Sequence, residues 1–139
     1  LPDKGNFILK DGTIVGQHKG IIYYTIGQRK GLGISYSHPL YVTNINKETN
    51  EITLGTEEEL YSTEIEITNI NLLVDNLPTY AQGKIRYRYE LTPCTIEIIN
   101  NDTLLVKFDK PVKSATVGQS LVLYDNDICL GGGKITKIK

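Results

Sequence analysis

The sequence has few of the side chains that bind metals or form disulfides. It contains two cysteines and two histidines among 139 residues. Cys94 and Cys129 form no CxxC pair, and His18 and His38 have no second ligand-forming residue close behind them. Structural zinc sites and disulfide scaffolds need such residues in clusters. We therefore expect no metal site and two reduced, packed thiols.

The sequence also lacks long apolar runs and an excess charge of either sign. No stretch approaches the about 18 apolar residues that a membrane-spanning helix needs, and no charged-then-apolar leader marks a secretory signal. The chain has 15 lysine and arginine residues and 16 aspartate and glutamate residues. Its overall charge therefore does not indicate a nucleic-acid partner. We expect a soluble, cytoplasmic protein with no membrane partner, on which any basic site is local.

Motifs of phosphate loops and catalytic centres are missing. The segment Gly131–Lys134 lacks the glycine and the hydroxyl residue of a Walker loop, since Ile128 and Ile135 stand in their places. We interpret it as a glycine-rich bend where barrel strands approach closely. The glycines of residues 27–33 reverse the dinucleotide fingerprint. With no GxSxG or HExxH motif either, we expect no catalytic residue and no cofactor in this chain.

Turn signals and short apolar runs predict a mainly β chain. Asp11-Gly12 and Lys47–Asn50 each separate two short strands, which predicts two hairpins in the first 55 residues. We predict a domain boundary near residue 62, giving a small β domain over residues 1–62 and a closed β-barrel over residues 63–139. The predicted barrel strands are ITNINLLV, KIRYRYEL, CTIEII, TLLVKF, SLVLYD and GGKITKI.

Three cations recur in the second of these barrel segments. In a strand, Lys84, Arg86 and Arg88 share one face at a spacing of about 6.6 Å, close to the roughly 6 to 7 Å between successive phosphates of a nucleic acid. Such a row could follow an RNA backbone. An ordinary solvated face that pairs with Glu90 or Glu97 has the same pattern. The spacing alone leaves both interpretations open.

The segment YYTIGQRKGLGI, residues 23–34, is a second candidate. It presents Gln28, Arg29 and Lys30 on a backbone with several glycines, and loops of this kind often carry function. A surface turn with solubilising charges is the alternative.

Five segments resemble the C-terminal part of the tRNA-specific 2-thiouridylase family, in the same order and over nearly the whole chain. The resemblance implies a small SH3-like central β domain followed by a translation-factor-like β-barrel. Family members replace O2 of the wobble uridine of certain tRNAs with sulfur, and older labels call them tRNA (5-methylaminomethyl-2-thiouridylate)-methyltransferases. The segments are GQHKGIIYYTIGQRKGLGI, PLYVTNINKETNEITLG, the RYR strand, PVKSATVGQSLVLYD and CLGGGKI.

The resemblance also implies parts that this sequence does not contain. Family members begin with an ATP-pyrophosphatase domain that binds ATP and magnesium, and neither Cys94 nor Cys129 matches either of their two catalytic cysteines. In the parent enzyme, ATP would adenylate O2 and a persulfide from a sulfur-relay or cysteine desulfurase partner would attack C2. The opening residues, Leu1–Gly5, likewise suggest a piece of a longer protein.

For this chain the resemblance implies tRNA handling. Arg86 and Tyr87 match a tRNA contact of the family, and Gln119 matches another; Arg88 is added from the strand-face argument. Gln28, Arg29 and Lys30 would lie beside the catalytic pocket, where they hold the anticodon-loop backbone or brace the mobile cysteine segment.

Two other functional classes stay open. A translation-factor-like barrel can instead be a docking module for the catalytic domain or a sulfur-relay partner. An independent enzyme would require that Cys94 or Cys129 be a reactive thiol.

Overall fold

The computed structural model of the chain describes residues 3–86 and 89–139. These residues divide into two compact units, one ending at Leu60 and the other spanning Tyr61–Lys139. The mainly β fold, with a small sheet domain before a closed barrel, is thereby confirmed. The described strands are β1 Gly5–Ile8, β2 Ile14–His18, β3 Tyr41–Asn46, β4 Glu51–Gly55, β5 Tyr61–Leu72, β6 Tyr80–Lys84, β7 Thr92–Asn100, β8 Thr103–Lys113, β9 Ser120–Asp125 and β10 Ile128–Ile138. Short 3-10 turns occupy Ile21–Tyr23 and Glu57–Leu60.

The first unit is a four-stranded sheet in the order β2-β1-β4-β3. Two antiparallel hairpins, β1-β2 and β3-β4, join through a parallel pairing of β1 with β4. Gly12 and Asn50 take the positive φ angles that the two turns need, 92° and 57°. Both predicted hairpins are confirmed. The core consists of Phe7, Leu32, Leu40, Val42, Ile52 and Leu54.

The second unit is a closed barrel of six strands in the order β10-β5-β8-β7-β6-β9. Every pairing is antiparallel, and β10 pairs with both β5 and β9, which leaves no free sheet edge among the described barrel strands. The first strand begins at Tyr61 and not at the predicted Ile67. Its early residues are held by pairing with Lys113 and Val112 of β8. The barrel interior is filled by residues that include Ile65, Ile67, Val106, Phe108, Leu121, Leu123 and Ile135.

The predicted strand KIRYRYEL is wrong. The structure has β6 at Tyr80–Lys84, and the chain bends at Ile85 and Arg86. Small residues hide this strand in the sequence: a Cβ on Gly83 would lie 2.8 Å from the ring of Phe108, so a larger residue fits only if that ring shifts. Lys84 and Arg86 therefore do not share a strand face, and Arg88, the third cation of the predicted row, lies outside the described residues.

The three glycines of β10 fill the role that the sequence suggested, although they lie within a strand. A Cβ on Gly132 would overlap the carbonyl oxygen of Leu121, and one on Gly133 would lie 2.5 Å from that of Thr68. These are backbone atoms of the neighbouring strands β9 and β5. Close backbone approach therefore requires the glycines, and no phosphate loop is formed.

Candidate nucleic-acid interface

One end of the barrel carries positive charge. Strands β6 and β8 finish there and β9 begins there, because Lys84 pairs with Val122 and Lys113 pairs with Tyr61. We call this region, which comprises Lys84, Arg86, Lys113 and the connection 114–119, the basic end. It contains two predicted tRNA-binding residues, Arg86 and Gln119.

Arg86 is held in place at this end by the last residue of β8. Its Nη2 donates a hydrogen bond of 2.6 Å to the carbonyl oxygen of Lys113, and its guanidinium lies 5.4 Å from the ring centroid of Tyr89. The hydroxyl of Tyr89 in turn accepts a 2.8 Å bond from the N–H of Lys113. The three residues lock the turn after β6 onto β8, so the guanidinium has a defined position.

In the solvated-face interpretation, the cations of the predicted strand would pair with Glu90 or Glu97. Glu90 and Glu97 pair with Lys110 and Lys107, at 3.2 and 3.5 Å, and among the described residues neither pairs with Arg86. Lys84 instead extends over the ring of Tyr124, with Nζ 5.7 Å from the centroid.

Gln119 has an unusual environment at the same end. Its side-chain Oε1 is buried and has no hydrogen-bond partner among the described residues. Its backbone is satisfied: its N–H donates to Thr116 at 3.1 Å and its carbonyl accepts from Ile135 at 2.8 Å. A buried acceptor without a donor is costly.

Two of the predicted tRNA-binding residues, Tyr87 and Arg88, lie outside the described residues. The role assigned to each remains a prediction.

In the first unit, Gln28 is committed to its own loop. The N–H of Thr25 donates to its Oε1 at 3.1 Å, and its Nε2 donates to the carbonyl oxygen of Lys30 at 2.9 Å. Its carbonyl oxygen accepts a hydrogen bond from the N–H of Val42, and the N–H of Gly27 donates to the carbonyl oxygen of Val42, which fastens the loop to β3. Leu32 and Leu40 anchor the rest of the segment in the core. Gln28 therefore braces the loop.

Arg29 and Lys30 are exposed on that braced loop, and neither forms an ion pair with any described residue. Beside Arg29 is an open concavity of about 650 Å³ lined by residues 31–40. Tyr36 and His38 line it with rings arranged edge to face, 5.0 Å between centroids. Cations next to exposed rings suit both the phosphates and the splayed bases of RNA.

His18 is a structural residue. It is buried, its Nδ1 accepts a hydrogen bond from the N–H of Gly20 at 3.0 Å, and its Nε2 faces the carbonyl oxygen of Asn50 at 2.8 Å. Its ring also packs edge to face against Phe7 and Tyr24. Both nitrogens are thus used within the fold.

The thiols are free, as the sequence predicted. Burial, with a smaller contribution from Asp109, raises the pKa of Cys94 to about 11, so this residue supplies no thiolate at neutral pH. In residues 3–86 and 89–139, no three His, Cys, Asp or Glu side chains are grouped closely enough to hold a metal ion. The described chain also contains no helix of the length and apolarity that crossing a membrane requires.

Sequence reasoning did not single out Tyr89 and Lys113 as partners of Arg86. Alternation assigned Tyr89 to the opposite face, and Lys113 lies 27 residues further along the chain. Tyr89 meets Arg86 because the chain bends after β6, and Lys113 meets it because β6 and β8 both pair with β7.

Two family models match the chain. Residues 62–135 match the aminomethyltransferase beta-barrel domain, and residues 2–56 match the tRNA methyl transferase PRC-barrel domain. Among curated proteins, the tRNA-specific 2-thiouridylase MnmA of Clostridioides difficile (strain 630) is 45% identical over 138 residues, which cover 97% of this chain and 38% of the relative. The tRNA-specific 2-thiouridylase MnmA 2 of Clostridium botulinum (strain Langeland) is 46% identical, over 97% of this chain and 39% of the relative. The chain thus spans less than two fifths of the length of these relatives.

Proposed function

Because this chain belongs to the tRNA-specific 2-thiouridylase family and corresponds to its PRC-barrel and C-terminal β-barrel domains, we propose that it binds tRNA for a wobble-uridine 2-thiolation enzyme. In this proposal the chain positions the anticodon arm. The chemistry belongs to an ATP-pyrophosphatase domain with ATP and magnesium, which receives sulfur from a sulfur-relay or cysteine desulfurase partner in the cytoplasm.

The observation that carries the proposal is the fixed guanidinium of Arg86. One N–H is used on the Lys113 carbonyl and the Tyr89 ring packs against the group, which leaves further donors of a planar fork for a phosphate. An arginine that is already ordered loses little entropy on binding. Lys84 adds a second cation at the same end. Such contacts fix the register of an RNA without reading its bases.

Gln119 is a further proposed contact. Its assignment as a tRNA contact rests on the family resemblance, and its place in the connection 114–119 puts it at the same end of the barrel as Arg86.

On the first unit, Arg29 and Lys30 are proposed to hold the backbone of the anticodon loop. Gln28 supports them indirectly, because its side chain is engaged within the loop.

A salt titration of tRNA binding tests the barrel contact. The ligand is a tRNA whose anticodon begins with uridine, and the proteins are the wild type, Lys84→Glu and Arg86→Glu/Arg88→Glu. Three phosphate contacts predict a log–log slope of about −2, and removing the cation from one phosphate makes the slope shallower by about 0.7. The matched control is Lys107→Glu, which makes the same charge change on the barrel wall where Lys107 pairs with Glu97. We expect the control to keep the wild-type slope. Absence of binding at low salt, or an equal effect in the control, would rule out the barrel as the tRNA contact.

An isolated anticodon stem-loop tests the first unit separately. Arg29→Glu/Lys30→Glu should weaken its binding about tenfold, whereas Lys10→Glu/Lys47→Glu, with the same charge change at exposed residues of the two hairpins, should leave it within twofold. Equal effects of the two double variants would mean that only net charge matters.

A further inference from the structure

The end of the barrel opposite the basic end has a different surface. Strands β5, β7 and β9 finish there, since Leu72 pairs with Gly131, Asn100 with Thr103, and Asp125 with Ile128. The connection 73–79 crosses this end and closes it, with Val74 and Leu77 packed against the core. We call it the acidic end.

Exposed apolar side chains concentrate at the acidic end. Leu73, Tyr80, Ile98 and Ile128 each leave between 60% and 76% of their surface exposed, and Leu72 and Ile99 are also exposed. Among the described barrel residues, the other exposed large apolar side chains are Tyr61, Leu91 and Val117, which belong to the opposite end. Single exposed apolar residues are ordinary, but six of them around the rim of one barrel end favour an interaction site there.

Apart from Lys107, which pairs with Glu97 on the barrel wall, the charges around this apolar surface are negative. Asp75, Asp102, Asp125 and Asp127 are exposed in or next to the three connections. Residues 69–83, 96–106 and 121–133, which form this end, contain no lysine or arginine. A surface of this kind repels the phosphates of a nucleic acid and attracts a cationic one.

We propose that the acidic end docks a separate protein whose contact surface is apolar and surrounded by lysine or arginine. Charge complementarity selects this partner over nucleic acid, and the exposed leucine, isoleucine and tyrosine side chains supply the area that is buried. The site is distinct from the basic end, so one barrel can bind tRNA and this protein together. The proposal does not rest on tRNA binding.

The test uses a synthetic amphipathic helix of lysine and leucine as the probe, and a glutamate and leucine helix of the same length as its counterpart. Binding to the whole 139-residue chain is followed by amide chemical shifts. We expect saturable shifts confined to residues 72–80, 98–103 and 125–128 with the cationic probe, and none with the anionic one. Shifts spread over the barrel, or no binding of the cationic probe, would overturn the proposal.

Matched variants locate the contact. Ile98→Ser and Asp75→Asn/Asp127→Asn should each weaken binding of the cationic probe about tenfold, while Val117→Ser and Asp3→Asn/Asp109→Asn should change it less than twofold. Lys84→Glu should leave it unchanged, so a failure of tRNA binding and a failure of this proposal remain distinguishable. Equal losses of affinity in the matched pairs would contradict it.

Two other occupants give different results. If Ile98→Ser abolishes a concentration-dependent self-association seen in sedimentation, the surface binds a second copy of the chain. If the corresponding amides of the complete Clostridioides difficile relative are protected from hydrogen exchange while those of this chain are not, the rest of the polypeptide covers it. Either result would overturn the proposal of a separate partner.

Discussion

At the scale of single residues, side chains of the same type have different roles because their surroundings differ. The guanidinium of Arg86 is fixed by one carbonyl and one ring, whereas Arg29 is exposed on a loop that Gln28 braces. Cys94 is enclosed by the barrel, and an apolar enclosure disfavours the charged thiolate. The buried environment of Cys94 therefore determines how readily its thiol ionises.

Cys94 should be inert in the folded protein. In Cys129→Ser, where it is the remaining thiol, we expect an aromatic disulfide reagent to react at neutral pH far more slowly than in urea, because burial both shields the thiol and raises its pKa. Reaction at the same rate in both conditions would revive the interpretation of the chain as an independent enzyme.

The same burial makes stability depend on pH. Unfolding restores the pKa of Cys94 from about 11 to its ordinary 9.0, so between these values the unfolded chain releases a proton that the folded chain keeps. The free energy of unfolding should therefore fall by about 2 kcal/mol as the pH rises from 9 to 11. Urea denaturation of the wild type and Cys94→Ala at each pH measures the contribution, which should be missing in the variant.

At the scale of elements, glycine allows two barrel strands to lie close to their neighbours, and it makes one of them, β6, hard to recognise. β6 contains Gly83 against the ring of Phe108, and β10 contains Gly132 against the backbone of β9. β6 lacks the β-branched, alternating character by which strands are recognised, whereas β10 ends in the alternating segment KITKI from which it was predicted. In both strands a neighbouring group lies where a larger side chain would go.

Alanine substitution at these glycines should distinguish a neighbouring side chain from a neighbouring backbone by its effect on stability. Gly83→Ala should cost about 1–3 kcal/mol of unfolding free energy, since the Phe108 ring can shift, while Gly132→Ala should cost more, since backbone cannot. Adding Phe108→Leu should reduce the relative cost of Gly83→Ala and leave that of Gly132→Ala unchanged. A double-mutant cycle in urea measures both, and equal coupling would refute the explanation.

At the scale of the whole molecule, the barrel separates charge that the composition conceals. The chain is nearly neutral, yet its barrel has lysine and arginine around Arg86 at one end and four aspartates among apolar side chains at the other. A balanced net charge is thus compatible with two surfaces that attract different partners.

The barrel has its own core, and its described strands leave no free sheet edge, so we expect residues 61–139 to fold alone. Their amide spectrum should overlay that of the same residues in the whole chain. Residues 67–139, which begin at the strand start predicted from the sequence, lack the β5 residues that pair with Lys113 and Lys137, and should be markedly less stable. A collapsed spectrum for residues 61–139 would show that the barrel depends on the first unit.

The sequence by itself determined the local features. Asp11-Gly12 and Lys47–Asn50 specified hairpins because few residues tolerate positive φ, and alternating apolar residues specified most barrel strands. The resemblance singled out Arg86 and Gln119. Tertiary structure decided the rest: β6 lies four residues earlier than its pattern suggested, and the Arg86 side chain turns onto Lys113. Barrel closure joins residues distant in sequence, and no local pattern encodes which strand end will meet which. The separation into a basic and an acidic end arises in the same way, since it depends on strand direction around the closed barrel.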